Sequence, residues 1–199
     1  MIPQFLLDKI NNGDKICIEL GCGPNKKEGK IGIDKLALHG VDIVHDAENG
    51  LIFLPDSSID EISSSHFLEH ISNFEFLISE IHRVLKRDGL HIAVVPHFSN
   101  PYYYSDYTHK RFFGLYTFDY LADNDSALKR KVPGFYSADK FHIMERKLNF
   151  KSPFTIRHYF KQIVKKIVNL NNGIKEFYEE NFCWLFPCAE IIFVMRPVK

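Results

Sequence analysis

Short apolar runs and stretches with helical spacing of apolar residues follow one another along the chain. The short runs predict buried strands, and these lie at 16–20, 31–34, 41–44, 59–65, 90–95, 141–150 and 190–197. Apolar residues three and four apart predict an amphipathic helix over 74–86, which we expect to end at a left-handed Gly89. Further helices are expected at 3–11, 155–170 and 173–182. Strands that alternate with helices indicate parallel βαβ units with right-handed crossovers, and the last strand could return antiparallel beside the strand before it.

The first two strands carry the clearest chemical pattern. The run that ends at Glu19-Leu20 is followed by Gly21-Cys22-Gly23, and the next run ends at Asp34. Glycine allows a sharp turn and a close approach of a ligand to the backbone. An aspartate at the tip of the second strand can accept hydrogen bonds from both hydroxyls of a ribose. The pattern therefore predicts a nucleoside-containing cofactor at the carboxyl ends of a parallel sheet.

Two phosphate-binding motifs are excluded by their spacing. A dinucleotide fingerprint needs a third small residue where Lys26 stands, and its acidic residue comes later than Asp34 does here. A P-loop needs four residues between its glycines and a Ser or Thr after its lysine, but five residues separate Gly23 from Gly29 and Ile31 follows Lys30. A cofactor that contains ribose but no phosphate fits better.

The glycine turn resembles motif I of the class I S-adenosylmethionine-dependent methyltransferases, which reads acidic-x-Gly-x-Gly and is matched by Glu19, Gly21 and Gly23. The resemblance is to the type-11-like subset and implies a three-layer αβα sandwich with a seven-stranded, mostly parallel sheet and an antiparallel terminal hairpin. It implies one domain over 1–199, with the cofactor half at about 1–96 and an acceptor loop plus the hairpin at about 97–199. The segment 24–30 is too short for a helix of average length, which resembles a subset with a truncated first crossover.

The same resemblance implies which residues bind S-adenosylmethionine. They are Glu19, Gly21, Cys22, Gly23, Asp34, Lys35, Asp46, Ala47, Ser65 and His66. Asp46 would accept a hydrogen bond from the adenine amino group, although capping of a turn is an equally common use of an aspartate. Ser65 and His66 would line the methionine and adenosine end of the cofactor.

The segment 96–113 follows the fifth strand, where open α/β sheets bind their ligands. It resembles the Asp-Pro-Thr-His-x-Arg-Phe-Phe signature of methyltransferases common in bacterial surface-polysaccharide gene sets, with Tyr107 in place of proline. His97 and His109 are the candidate bases because neutral imidazole is available near neutral pH, and Asp106 would orient either. Candidate acceptor-binding residues are Tyr102, Tyr104, Tyr107 and Arg111. The alternative is an aromatic lid that packs, with Arg111 paired to Asp106.

Composition and charge limit the classes of partner that we expect for this chain. Formal net charge is zero and no apolar run reaches transmembrane length, so neither nucleic acid nor a membrane span is expected. The four cysteines lack the spacing of a zinc site or of a disulfide framework, so we expect no bound metal and a reducing cytoplasm. The helix at 155–170 has an apolar and a basic face. We expect the apolar face to be core, and contact with an anionic membrane surface is the alternative.

The activity expected from this resemblance is O-methylation of a sugar or of another small-molecule or glycan hydroxyl. One alternative is a non-catalytic domain of the same fold that binds the cofactor or a partner. The other is a zinc hydrolase that uses His66 and His70, because His-Phe-Leu-Glu-His fits a metalloprotease pattern with Glu69 as base. The sequence leaves the acceptor, the methylated atom and the oligomeric state open.

Overall fold

The computed structural model describes residues 2–123 and 127–199. Its helices and strands, in chain order, are α1 (Gln4–Asn12), β1 (Cys17–Leu20), β2 (Ile31–Asp34), β3 (Ile43–Val44), β4 (Ile59–Ser65), α2 (Phe74–Val84), β5 (Leu85–Pro96), β6 (Lys140–Asn149), α3 (Thr155–Val168), α4 (Asn172–Asn181) and β7 (Glu190–Val198). Short 3-10 turns lie at Ala47–Asn49, Leu68–His70, Tyr103–Ser105 and Thr117–Leu121.

The strands form one seven-stranded sheet in the order β3-β2-β1-β4-β5-β7-β6. The first five strands pair in parallel, and β7 runs antiparallel between β5 and β6. The predicted α/β fold with an antiparallel terminal hairpin is confirmed. The carboxyl ends of β1, β2 and β4 thus meet at one edge of the sheet, as ligand-binding α/β sheets require.

The connection between β1 and β2 consists of turns, as the length of segment 24–30 predicts. The expected stop of α2 at Gly89 is wrong, because α2 ends at Val84 and β5 starts at Leu85. Leu85 already pairs with Ile59 of β4, so sheet pairing takes over before the glycine is reached. A Cβ on Gly89 would lie 3.0 Å from the Ile59 carbonyl oxygen, so this glycine permits close strand contact.

The core joins the two halves of the chain. The apolar face of α2 is buried, with Leu77, Ile78, Ile81 and Val84 inside. From the aromatic second half, Phe118 packs against Phe193 of β7 with ring centroids 4.7 Å apart. Burial of these large side chains is the main source of stability in such a fold, and it fixes the end of the acceptor loop to the sheet.

The expectation that the apolar face of α3 is core is wrong. Among its described residues Val168 alone is fully buried, and most of its large apolar side chains are exposed. Helical periodicity identifies an amphipathic helix correctly, but it cannot say which face the tertiary structure covers.

Candidate functional site

A cleft of about 570 Å³ opens at the carboxyl ends of β1, β2 and β3. This size lies in the range of cofactor and ligand sites. Its walls are formed by Gly21, Ile33, Asp34, Lys35, His45, Asp46, Ala47, Glu48, His66, Phe67, His70, Ile71, Tyr107, Thr108 and Lys110. The cleft therefore joins the glycine turn to the acceptor loop, which the sequence treats as separate motifs.

The glycine turn is built as the sequence predicts. Gly21 has φ 63° and Gly23 has φ 54°, values that cost a residue with a Cβ about 1–2 kcal/mol. The Gly21 amide donates to the Ile33 carbonyl over 2.8 Å, so the turn stays attached to β2. Gly21 also lies under the ring of Phe67, where a Cβ would come within 2.3 Å of Cδ2. The absence of a side chain at Gly21 therefore makes room for the Phe67 ring, and both residues line the cleft.

Asp34 is held rigidly at the end of β2 and lines the cleft. Its Oδ2 accepts from the Gly23 amide over 2.9 Å, and its Oδ1 accepts from the Leu36 amide over 3.0 Å. Each carboxylate oxygen has a second acceptor site, so the group can still bind the hydroxyls of a ligand. Lys35 lines the same wall.

Glu19 and Cys22 are placed behind the cleft wall. Glu19 is buried, and its Oε2 accepts from the Lys27 amide over 2.7 Å. Cys22 is buried too, with its Sγ packed where Gly32 lacks a side chain. Both residues, like Gly23, are outside the lining of the cleft, so their contacts shape the glycine turn from behind.

Asp46 caps a turn and also lies in the wall of the cleft. Its Oδ1 accepts from the Glu48 amide over 3.0 Å and so caps the turn Ala47–Asn49. Asp46 and Ala47 also line the cleft. Capping leaves the second carboxylate oxygen of Asp46 for a ligand.

His66 lines the cleft between two carboxylates. Its φ is 52°, and its Nε2 lies 3.0 Å from Glu190 Oε2 while Nδ1 lies 3.4 Å from Glu69 Oε1. The Glu190 carboxylate first, and then that of Glu69, raises the pKa of His66 to about 9. His66 is therefore a cation at neutral pH. Ser65, at the end of β4, is outside the lining.

The acceptor loop contributes a connected group of polar side chains. Thr108 Oγ1 donates to Asp106 Oδ1 over 2.6 Å, and this bond lowers the pKa of Asp106. Because the single hydroxyl proton of Thr108 is used there, Oγ1 accepts from His70 Nδ1 at 2.9 Å. The Nε2 of neutral His70 then carries the lone pair, and His70 lines the cleft.

His109 lies against His70, with ring centroids 4.9 Å apart. Its Nδ1 donates to the Tyr103 carbonyl over 3.0 Å, which leaves the lone pair of the neutral ring on Nε2. That atom is 3.5 Å from Asp106 Oδ2 and 4.0 Å from Glu69 Oε1. His109 therefore lies between His70 and two carboxylates.

Glu69, His70 and His109 each offer a ligand atom within 4.8 Å of the others, a grouping that could hold a metal ion. The sequence singles out His66 and His70 for a metal, but His66 is not in this group. His66 and His70 do not share a helix either, because Leu68–His70 is a single 3-10 turn that follows β4.

Several predicted acceptor-site residues lie elsewhere. His97 is fully buried, with Nδ1 2.7 Å from Ser99 Oγ and Nε2 3.1 Å from Glu179 Oε2. Arg111 donates from Nε to the Ile71 carbonyl over 2.9 Å and covers the Phe74 ring, so it does not pair with Asp106 in the way the packing alternative predicts. Tyr107 lines the cleft and is almost fully exposed, whereas Tyr102 and Tyr104 are outside its lining.

Sequence reasoning missed several residues that line the cleft. They are His45, Glu48, Phe67, His70, Ile71, Thr108 and Lys110. The sequence indicates His70 only as a candidate zinc ligand, and Thr108 only as part of the signature in segment 96–113. The signal that points to them is the parallel order of the strands, since the segments that follow β3, β4 and β5 share one edge of the sheet.

Comparison with known proteins supports this arrangement. Residues 18–93 match the family model of a methyltransferase domain. No curated protein matches the chain. A SAM-dependent methyltransferase from Archaeoglobus fulgidus is 19% identical, with a TM-score of 0.53 over 96% of this chain and 92% of that one. A SAM-dependent methyltransferase from Thermotoga maritima is 15% identical, with a TM-score of 0.54 over 98% and 87% of the two chains.

These comparisons show that the chain has the Rossmann-like fold of class I SAM-dependent methyltransferases. Together with the matched methyltransferase domain they imply S-adenosylmethionine as the cofactor. The site fits that cofactor: the cleft has Gly21 of the glycine turn in its wall, a fixed carboxylate at the tip of β2 and space of about 570 Å³. Within the described residues no helix is long and apolar enough to cross a membrane.

Proposed function

We propose that this protein transfers the methyl group of S-adenosylmethionine to a hydroxyl group, and that the acceptor is a sugar or glycan. The observation that carries the proposal is the single cleft, which has Gly21 and Asp34 at one end and His70 and Thr108 at the other. A cofactor site and a cluster of bases open into the same space. Such a cleft can hold two reactants side by side, and orientation alone accelerates a bimolecular reaction strongly.

The cofactor end is proposed to use groups that the fold already fixes. Asp34 would accept from the ribose hydroxyls, Gly21 would give the ligand access to the backbone, and Asp46 with Ala47 would contact the adenine. When bound, the cofactor supplies an electrophilic methyl group on a sulfonium. Glu19 and Gly23 hold the turn and Asp34 in place from behind.

The acceptor end is proposed to remove the hydroxyl proton. His70 lines the cleft, and its Nδ1 is hydrogen-bonded to Thr108 Oγ1. The lone pair that can accept the hydroxyl proton is therefore the one on His70 Nε2. His109 lies behind His70, in contact with its ring and between Asp106 and Glu69. We therefore assign general-base catalysis to this imidazole pair, with Asp106 as a positioning residue and Tyr107 at the acceptor mouth.

The decisive experiment is a methylation assay with labelled S-adenosylmethionine against a panel of sugars, nucleotide sugars and bacterial glycans. Label is expected in an oxygen-linked methyl group of one acceptor class, identified by mass spectrometry. Calorimetry with S-adenosylhomocysteine is the parallel measurement of the cofactor site. Binding without transfer to any acceptor would favour the non-catalytic alternative, and loss of both would contradict the cofactor assignment.

A metal-dependent reaction is the second candidate, because Glu69, His70 and His109 are grouped. Elemental analysis of the purified protein, with and without chelator treatment, separates the two. Full transferase activity after removal of every divalent ion would exclude a catalytic metal. Hydrolytic activity that depends on zinc would instead contradict the transferase proposal.

A further inference from the structure

The helix α3 turns its apolar face outwards. Its exposed large side chains recur three and four residues apart, at Ile156, Tyr159, Phe160, Ile163 and Ile167, and each is between 46% and 87% exposed. This spacing places them on one stripe of the helix. The flank of the helix next to this stripe packs against the core through Val164 and Val168. A surface helix of a globular protein normally shows the reverse arrangement.

The turn that follows α4 extends this stripe. Trp184 and Leu185 are 66% and 69% exposed, and the ring of Phe186 lies 6.0 Å from that of Phe160. Lys161 of α3 donates to the Pro187 carbonyl over 2.9 Å, which fixes the helix against the turn. We call the α3 stripe together with 184–186 the apolar ridge. A contiguous exposed patch of this kind marks a site of interaction.

The charged residues of α3 and of the segments on either side of it have one sign, whereas α4 carries Glu176, Glu179 and Glu180. Residues 151–174 include five basic residues and no acidic residue, in a chain whose formal net charge is zero. Arg157 and Lys166 lie on opposite flanks of the stripe, and both are exposed. Aromatic and aliphatic side chains with basic flanks are the composition of helices that lie in the interface of an anionic membrane. Trp and Tyr are enriched at that depth.

We propose that the apolar ridge docks this protein on the surface of an anionic lipid bilayer. The ridge would insert among the acyl chains while Arg157 and Lys166 contact the lipid headgroups. The ridge lies next to the acceptor loop, because Trp184 packs against Phe98 at the start of that loop, with ring centroids 5.6 Å apart. Docking goes beyond the proposed methyl transfer and does not depend on it.

The test is sedimentation of the full-length protein with vesicles of phosphatidylcholine, with and without phosphatidylglycerol. We expect binding to the anionic vesicles, weakened by added salt. Ile156→Glu is expected to lower binding about tenfold, as is the double variant Arg157→Glu and Lys166→Glu. Matched controls are Ile52→Glu, at a site 74% exposed outside the ridge, and Lys9→Glu in α1. Thermal melts verify that each variant is folded.

Three results would overturn the proposal. One is no binding to anionic vesicles, and the second is equal loss in the ridge and control variants. The third is a ridge variant that changes the mass in sedimentation equilibrium without changing vesicle binding, which would assign the ridge to contact with a second copy. The assay uses no cofactor, so a failed methylation assay and a failed docking assay are distinguishable.

Discussion

Gly21 lies directly beneath Phe67, so close that a Cβ on the glycine would come within 2.3 Å of the ring carbon Cδ2. The residue type at position 21 is therefore fixed by contact with a neighbouring wall of the cleft as well as by its φ of 63°.

We expect Gly21→Ala to destabilise the protein by about 2–4 kcal/mol, from backbone strain and steric overlap together, and to abolish cofactor binding. Gly23→Ala is the matched control, because φ there is 54° but nothing lies within 4 Å of its Cβ. It should cost about 1–2 kcal/mol. Urea unfolding and calorimetry with S-adenosylhomocysteine measure both effects. Equal losses in the two variants would show that the contact with Phe67 is unimportant.

Asp34→Asn should weaken the binding of S-adenosylhomocysteine about 10–100-fold, because hydrogen bonds to a charged acceptor are worth about 1.5–3 kcal/mol. Asp42→Asn is the control: Asp42 also accepts from a backbone amide, that of Gly32 over 2.7 Å, but it is not part of the cleft lining. The affinity of Asp42→Asn for S-adenosylhomocysteine should stay near that of the wild type. Unchanged binding by Asp34→Asn would remove the ribose contact from the proposal.

The imidazole pair can be tested by kinetics. His70→Ala and His109→Ala are each expected to lower turnover about 10²–10⁴-fold, with unchanged affinity for S-adenosylhomocysteine. Asp106→Asn should give a smaller loss, because it acts through its neighbours. The control is His142→Ala, at an exposed site on β6 beside Asp123. Wild-type turnover in His109→Ala would exclude that residue from the mechanism.

His66 should make stability depend on pH in the alkaline range. Its pKa is raised to about 9 in the folded state by Glu190 and Glu69, so the folded protein holds a proton that the unfolded chain releases near pH 6.5. The stabilisation is complete below about pH 6.5 and is lost as the pH rises through 9. Urea midpoints of the wild type should therefore fall over this interval more steeply than those of His66→Gln. Parallel slopes would contradict the assignment.

His91 should make stability depend on pH in the acidic range, with the opposite sign to His66. Burial lowers its pKa to about 4, and neither ring nitrogen has a hydrogen-bond partner among the described residues. Folding excludes the proton, so stability falls as the pH drops from about 6.5 to 4, by about 3 kcal/mol. His91→Leu should remove this dependence and stabilise the protein at pH 4, as measured by urea unfolding. A midpoint at pH 4 no higher than that of the wild type would contradict this.

The sequence predicts a strand correctly where the local pattern of apolar residues agrees with the pairing of that strand in the sheet. β2 and β4 have the expected bounds, and β6 and β7 form the antiparallel hairpin that the family resemblance implies. The pattern fails where long-range pairing decides. Leu85 joins β4 through Ile59, so the helix before it ends early, and no local signal contains that contact.

The positions of Gly21 and Asp34 in the cleft could be predicted because the glycine turn and the tip of β2 belong to one local strand-turn-strand unit. The acceptor end could not, because His70 meets Thr108 across 38 positions of the chain. His97 illustrates the same limit. It follows β5 as a catalytic residue should, yet Ser99 and Glu179 enclose it.

The order of the strands in the sheet differs from their order along the chain. Residues 140–149 are made before β7, which separates them from β5 in the described sheet, so β6 reaches its place in the sheet only after β7 has been synthesised. Glu190, whose carboxylate lies 3.0 Å from His66, is synthesised late as well. On a nascent chain the glycine turn can therefore form before the contact between His66 and Glu190 does.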